Sequence, residues 1–275
     1  MIKERVFNLG IDFAAWRAQR GDSALTPNGL KRYHELISHI KGKHPINLSE
    51  YADILDGYDF TSQIQGLEKL EHIKNGALIL SNHTKEGPLK GDSNILATGF
   101  HVARKTGREI RWMFGVRSSP NNIARPNVQA SLNFILVDGK KGRKKNGANF
   151  PTIMSRDLVG LYPEGDNDVA LRQGKPEAGR VIHLAAKLGV PTICVSVDFN
   201  NGIYRLTFNE LDNQHIITLR KKGKQKLQSQ KNPTRKDRLA LAGGQEVVNY
   251  AMATIALPLP PEKRGYYHNP ERFFA

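Results

Sequence analysis

Short apolar runs that end in turn residues alternate along this chain with longer stretches of helical periodicity. The runs have the length and composition of strands that are buried on both faces, and they cover 76–81, 133–137, 158–162, 192–199 and 204–208. Apolar residues recur at helical spacing over 27–41, 93–105, 177–188 and 243–256. This alternation predicts an α/β fold with a mixed, partly parallel central sheet flanked by helices.

The same pattern divides the chain into segments. Residues 1–70 have mainly helical patterns and predict an N-terminal helical segment, and residues 71–215 form the predicted α/β core. Nine of the nineteen residues in 220–238 are Lys or Arg, which predicts a basic flexible insertion over 216–240. Residues 241–275 return to a helix with a proline-rich tail, and we expect them to fold as one domain with the core.

Composition narrows the class of protein. The net charge of +15 favours anionic partners such as phosphorylated substrates, coenzyme A, acidic carrier proteins, anionic lipid surfaces or nucleic acid. Because no apolar run is long enough to span a bilayer and no secretory leader is visible, we expect a cytoplasmic protein, peripheral at most on the inner face of a membrane. The single cysteine, Cys194, lies in an apolar run and is expected to be a core residue.

One strand end carries a histidine with carboxylates nearby. The run 76–81 ends at Asn82-His83, and a histidine at the carboxyl end of a strand can face a cleft and accept a proton near neutral pH. Glu86 and Asp92 follow, and either carboxylate could orient the imidazole and stabilise its charged form. By itself a histidine with a nearby acid is also common in ordinary surface turns.

A second strand end carries an acid between two residues that shape a turn. The run 158–162 is followed by Pro163-Glu164-Gly165. Proline fixes φ and glycine permits a sharp turn, so the carboxylate of Glu164 would be held rigidly and could accept hydrogen bonds from substrate hydroxyls. A plain surface turn has the same composition, but ligand sites in α/β sheets gather where strands end.

Taken in order, LSNHTKEGPLKGD (80–92), LYPEGD (161–166) and KLGVPTICVSV (187–197) resemble the glycerophosphate/lysophospholipid acyltransferase family. That family has a strand ending in Asn-His with an aspartate shortly after. A strand ending in Phe-Pro-Glu-Gly follows, and then a helix and a Gly-Val-Pro-type apolar strand. NFILVDGKK (133–141) is similar to its second motif, and the resemblance covers residues 64–200.

The resemblance implies transfer of a fatty acyl group from acyl-coenzyme A or an acyl-carrier protein to a hydroxyl of a glycerophosphate or lysolipid acceptor. It implies that His83 is the general base, that Asp92 orients it, and that Glu164 and Gly165 position the acceptor. No metal ion is implied, and no cofactor besides the thioester substrate. An anionic membrane surface is the expected partner, and no specific nucleic acid is expected.

The chain departs from the family pattern at three places, at one of which Gly139 or a neighbouring lysine takes the position of the family's second-motif arginine. The family's aspartate lies five residues after the histidine, where this chain has Pro88; Asp92 lies nine after, as a four-residue insertion would place it, and Glu86 is the alternative orienting carboxylate. Asp-Asn rather than Thr/Ser-Arg follows the Pro-Glu-Gly motif, so a phosphate of the acceptor would fall to Arg172 or Lys140.

Two other functions are consistent with the same sequence features. The basic composition also fits an RNA- or anion-binding module, although no aromatic and glycine signature of RNA-binding domains and no zinc-finger spacing is present. A non-catalytic protein on a degenerate acyltransferase scaffold, binding anionic lipid or RNA, would explain the displaced aspartate and the missing Thr/Ser-Arg. We favour the enzyme because His83, Asp92 and Glu164 are all retained.

Overall fold

The computed structural model describes residues 25–91, 93–115, 131–137, 150–165, 168–234, 237–238, 240 and 244–274. Its strands are β1 (Asp59–Gln65), β2 (Ala77–Ser81), β3 (Ile110–Gly115), β4 (Ile135–Val137), β5 (Leu158–Leu161), β6 (Thr192–Asn200) and β7 (Ile203–Glu210). Its α-helices are α1 (Pro27–Gly42), α2 (Ser93–Thr106), α3 (Phe150–Arg156), α4 (Pro176–Lys187), α5 (Asn213–Ser229) and α6 (Gln245–Ala256). Single turns of 3-10 helix cover Leu67–Leu70, Pro88–Gly91, Pro261–Lys263, Gly265–Tyr267 and Pro270–Phe273, and a longer one covers Leu48–Leu55.

The strands form one seven-stranded sheet in the order β1-β7-β6-β2-β5-β3-β4. Neighbouring strands pair in parallel, except that β6 and β7 form an antiparallel hairpin. Strand β2 lies between β6 and β5 and is buried along its whole length, which explains its apolar sequence from residue 77 to residue 80. The predicted α/β fold with a mixed, partly parallel sheet is confirmed.

Helices cover both faces of the sheet and bury two apolar cores. Side chains of β2 alternate between them, with Ile79 in one core and Leu78 and Leu80 in the other. The first core also takes α1, the 3-10 helix Leu48–Leu55 and α2, whereas the second takes α3, α4, α5 and α6. The alternation follows from the period of two in a strand.

The connections that leave β2 and β5 turn to opposite faces of the sheet. The chain leaving β2 enters α2, which packs in the first core, and the chain leaving the adjacent parallel strand β5 enters α4, which packs in the second. This divergence opens a crevice beyond the carboxyl ends of the two strands, the position where open α/β sheets bind ligands. The fold therefore places the residues that follow β2 and β5 at a topological switch point.

Within the described part of the N-terminal helical segment predicted over 1–70, α1 and the 3-10 helices Leu48–Leu55 and Leu67–Leu70 are helical as expected, but the prediction is wrong for residues 59–65. Residues 59–65 form the edge strand β1, paired in parallel with β7. Their sequence, DFTSQIQ, is polar and half exposed, so it lacks the apolar signal by which buried strands are recognised. Helix α1 and the 3-10 helix Leu48–Leu55 pack into the first core and belong to the same domain.

The prediction of a flexible insertion over 216–240 is also wrong in its first half, because residues 213–229 form α5. Ile216, Leu219 and Gly223 form a narrow buried stripe at helical spacing, and Asp212 caps the helix by accepting a hydrogen bond from the Gln214 amide. The stripe was not recognised in the sequence because many Lys and Arg residues surround it there. Among the described residues, no helix has the length and apolar composition that a membrane span needs.

Candidate functional site

Asn82 fastens the end of β2 to β6. Its side-chain Nδ2 donates to the Val197 carbonyl at 2.8 Å, and its Oδ1 accepts from the Val197 amide at 2.7 Å. The side chain is buried, so both backbone groups of Val197 depend on it for their hydrogen bonds. An asparagine amide is suited to this position because it offers a donor and an acceptor in one plane, as a peptide group does.

His83 follows Asn82 and lies in a stack of rings at the carboxyl edge of the sheet. Its imidazole lies 4.5 Å from the Tyr162 ring at an interplanar angle of 21°, and Tyr162 lies 4.9 Å from Trp112 at 10°. Trp112 packs flat over Gly160 of β5, where a Cβ would collide with the indole. Buried Trp112 thus supports the plane of Tyr162, and Tyr162 supports the plane of the half-buried imidazole.

Glu164 joins the loops that follow β2 and β5. Its Oε2 accepts from the backbone amide of His83 at 3.2 Å, and its Oε1 accepts from the backbone amide of Arg172 at 2.8 Å. The carboxyl group is buried, and this burial raises its pKa to about 7, although the two amides favour the charged form. Near neutral pH, Glu164 therefore changes its protonation state while holding the backbone beside His83.

The Pro-Glu-Gly turn is rigid for the reasons expected from its sequence. The Gly165 amide donates to the Tyr162 carbonyl at 3.0 Å, and Gly165 adopts φ +66°, a conformation that glycine reaches without strain. Lys175 closes the turn from the other side, with its amide donating to the Pro163 carbonyl at 2.9 Å and its ammonium to the Gly165 carbonyl at 3.3 Å. These bonds hold Glu164 toward His83.

Asp168 extends the sheet beyond β2. Its amide donates to the His83 carbonyl at 3.2 Å, and its carbonyl accepts from the Lys85 amide at 3.0 Å, so the chain after His83 continues as a parallel pairing. The Asp168 carboxylate forms an ion pair with Arg172 at 2.5 Å. Hydrogen bonds from the Val169 amide and from Arg172 hold the pKa of the Asp168 carboxyl below its usual range.

Glu86 binds a lysine of the C-terminal segment. Lys263 Nζ lies 2.5 Å from Glu86 Oε2 and 2.6 Å from Asp198 Oδ1, and it donates to the Phe199 carbonyl at 2.8 Å. Burial opposes the charge on Lys263, but its hydrogen bonds to Asp198 and Glu86 outweigh burial and raise its pKa. The Lys263 carbonyl also accepts from the Leu171 amide at 3.0 Å. One residue therefore joins the loop after β2, the end of β6 and the loop after β5.

These groups line a narrow crevice between the two loops and the C-terminal segment. Its walls include Asn82, His83, Glu164, Val169 and Lys263, and its volume is about 10 Å³, enough for roughly one water molecule. A larger cavity of about 860 Å³ lies at the amino ends of β3 and β5, on the opposite edge of the sheet. In that cavity Arg111 forms an ion pair with Asp157, and Glu109 accepts a hydrogen bond from the Ser49 hydroxyl.

The structure brings four residues of the sequence hypothesis to one edge of the sheet. Hydrogen bonds from the amides of His83 and Arg172 to Glu164 connect three of them, Gly165 follows Glu164 in the turn, and Arg172 exposes half of its side chain. Glu86 lies at the same edge, where its carboxylate is engaged by Lys263. Asp92 and Lys140 lie outside the described residues.

Three residues of this edge were missed in the sequence: Tyr162, Asp168 and Lys263. Tyr162 directly precedes the Pro-Glu-Gly turn, so its position at a strand end was a usable signal. No usable signal in the sequence marked Asp168 or Lys263, since both residues act through pairings with distant parts of the chain.

Replacing Lys263 by methionine is expected to lower the free energy of unfolding by about 2–4 kcal/mol. The buried Asp198 carboxylate would lose its ion pair with Lys263 and keep the one with Arg205, at 3.2 Å, and Glu86 would lose the same lysine. Lys85→Met removes the same charge from an exposed pair 3.9 Å from Asp168 and should cost less than about 1 kcal/mol. Urea unfolding of both variants measures the difference, and equal costs would contradict a supporting role for Lys263.

No protein-family model matches the chain, and no curated protein matches its sequence significantly.

Proposed function

We propose that this protein is an O-acyltransferase, which moves a fatty acyl group from acyl-coenzyme A or an acyl-carrier protein to a hydroxyl of a glycerophosphate or lysophospholipid-type acceptor. The observation that carries the proposal is the position of His83. It follows a central parallel strand at a topological switch point, and its backbone amide donates to the buried carboxylate of Glu164 on the neighbouring strand's loop. The motif resemblance supplies the class of reaction.

In the proposed reaction His83 removes the proton of the acceptor hydroxyl as that oxygen attacks the thioester carbonyl carbon. The tetrahedral intermediate then collapses with cleavage of the carbon–sulfur bond, and the imidazolium returns its proton to the departing thiolate. The acyl group passes directly between the two substrates, so no residue of the chain becomes acylated. The stacked ring of Tyr162 keeps the imidazole in one plane during both proton transfers.

The remaining residues take supporting roles in this proposal. Asp92 is the orienting carboxylate, since the carboxylate of Glu86 is engaged by Lys263 at 2.5 Å. Glu164 holds the backbone of His83 and Arg172 in place through its two oxygens, and Gly165 shapes the turn that presents it. The exposed guanidinium of Arg172 is the candidate group for binding the acceptor phosphate. It would bind the phosphate while it remains paired with the Asp168 carboxylate.

The test is release of free thiol from long-chain acyl-coenzyme A and from an acyl-carrier donor. Glycerol phosphate, lysophosphatidic acid and other lysolipids would be offered in turn, with anionic vesicles present. We expect acceptor-dependent release by the wild-type protein and a loss on the order of 100- to 10,000-fold in His83→Ala, because a general base contributes that much. His72→Ala removes an exposed histidine that pairs with Glu210, on β7, and should retain activity.

A binding protein without catalysis is the second candidate, and specific contacts favour it. Both oxygens of Glu164 already accept backbone amides, and the Arg172 guanidinium already pairs with Asp168. In that case the folded wild-type protein would release no thiol from either donor with any acceptor, whereas anionic lipid or RNA would still bind. That pair of results would end the catalytic proposal.

A further inference from the structure

Cations crowd the outer side of α4 and α5. Helix α5 packs against α4 through its buried stripe, and the two helices together carry seven Lys and Arg residues against one glutamate, Glu177. Arg180 and Lys187 lie on α4, and Arg220, Lys221 and Lys224 lie on α5. We call these five residues the α4–α5 basic face.

The charges on this face are close enough to affect each other's ionisation. His183 lies among them on α4, and its pKa is lowered to about 4 by burial and by the positive charges of Arg220, Lys187 and Lys224. The pKa of Arg220 is lowered as well, by burial and by Arg180. Glu246 offsets part of this charge at Arg220 and forms an ion pair with Lys226 at 3.6 Å. Like charges at this spacing repel, so the face costs the folded state free energy.

The geometry points to a flat, multivalent anion as the group that relieves this repulsion, and we propose that the α4–α5 basic face docks on an anionic lipid bilayer. Arg180, Lys187, Lys221 and Lys224 are exposed, and two helices packed side by side present them along one side of the domain. Lysines act as hydrated point charges that suit a diffuse array of lipid phosphates.

Nucleic acid fits this face less well. Neither α4 nor α5 contains a Phe, Tyr or Trp, and the one ring among these cations, the imidazole of His183, is partly buried, so the face offers little surface on which an unpaired base could stack. The choice of a bilayer also rests on the proposed function, because a lysolipid acceptor resides in one. Helix α4 begins directly after Lys175, which contacts Gly165 in the candidate site, so docking through this face would bring the crevice near the lipid.

The experiment compares binding of two charge-matched variants to vesicles of phosphatidylcholine with or without phosphatidylglycerol. Arg180→Gln, Lys221→Gln and Lys224→Gln are combined in one variant, and Lys31→Gln, Lys43→Gln and Lys74→Gln, exposed elsewhere, form the control. We expect the wild type and the control to sediment with the anionic vesicles only. Binding of the α4–α5 variant should be weaker by on the order of 100-fold, since each Lys or Arg near such a surface contributes about fivefold.

The melting temperature provides an independent readout. Removing cations from a crowded face should leave the melting temperature of the α4–α5 variant unchanged or raise it, so weaker binding could not be ascribed to unfolding. Equal loss of vesicle binding in both variants, or binding of homopolymeric RNA without binding of anionic vesicles, would overturn the proposal. His83→Ala should bind vesicles like the wild type, so a failure of the catalytic proposal would leave this result intact.

Discussion

Asn82→Asp is expected to lower the free energy of unfolding by about 3–5 kcal/mol at neutral pH. Aspartate has nearly the same shape as asparagine, and one of its oxygens could still accept the Val197 amide. The other oxygen would face the Val197 carbonyl, which now receives a hydrogen bond at 2.8 Å, and a negative charge would be buried beside it. The variant therefore replaces a hydrogen bond with a repulsion at the join of β2 and β6.

This cost should shrink on acidification. A protonated aspartic acid at position 82 could donate to the Val197 carbonyl as the asparagine does, and burial would raise its pKa in the folded state. The folded variant would then bind more protons than the unfolded chain, so its stability relative to the wild type recovers as the pH falls toward the ordinary pKa of aspartate, about 3.9. Asn82→Ala cannot recover in this way, and its cost of about 2–4 kcal/mol should not depend on pH.

Urea unfolding at several pH values tests both statements, with Asn75→Asp as the control. Asn75 is exposed in a turn before β2, so the same change of charge there should shift the free energy of unfolding by less than about 0.5 kcal/mol. An Asn82→Asp variant as stable as the control would show that the Asn82–Val197 pairing contributes little to the fold.

Glu164→Gln is expected to change how stability depends on pH. Because burial raises the pKa of Glu164 from an ordinary 4.5 to about 7, the folded protein binds more protons than the unfolded chain between these values. The stabilising contribution of Glu164 to the free energy of unfolding is fully present below pH 4.5 and is lost as the pH rises through 7. The size of this loss is on the order of 3 kcal/mol. Glutamine does not titrate, so the variant should lack this component.

The hydrogen-bond geometry predicts the pH at which Glu164→Gln is least stable relative to the wild type. A neutral carboxyl group can still accept the amides of His83 and Arg172 on its two oxygens, whereas glutamine has one oxygen and would turn an NH₂ group toward the second amide. We therefore expect Glu164→Gln to be less stable than the wild type by about 2–4 kcal/mol near pH 5. The difference should narrow above pH 7, where the wild type carries a buried charge.

His183 acts in the opposite direction over an overlapping range of pH. Its pKa is lowered to about 4, so the unfolded chain binds more protons between 4 and 6.5, and stability falls as the solution is acidified. The two effects partly cancel in the wild-type dependence of stability on pH. Glu164→Gln should therefore expose the acid sensitivity due to His183 and to His101, whose pKa burial also lowers. Glu177→Gln, an exposed change on α4, serves as control and should leave the profile unaltered. Parallel profiles for wild type and Glu164→Gln would contradict the raised pKa.

The sequence alone determined the central strands and the location of His83 and Glu164. Residues of β2, β5 and β6 are mainly apolar because these strands are largely buried on both faces, and local composition reports that directly. Parallel strands end at a common edge, so the residues that follow β2 and β5 were expected at the same edge of the sheet, and the pairing of β2 with β5 makes them neighbours there.

Elements with weak local signals depended on the rest of the fold. Strand β1 is polar because only one of its edges pairs, and α5 is a helix because three residues of its narrow stripe pack on the helices beneath. In both segments the stabilising contacts come from distant residues, which overrides local propensity.

Tertiary structure decided what each site residue contacts. Sequence placed Glu86 near His83, but Lys263, from the far end of the chain, engages its carboxylate. Asn82 looked like part of a motif, and its amide proves to hold Val197 of the neighbouring strand. A hydrogen bond or an ion pair depends on atoms within a few ångströms in space. Periodicity records only which face of its own element a residue occupies, so these partners emerge only when the sheet brings distant segments together.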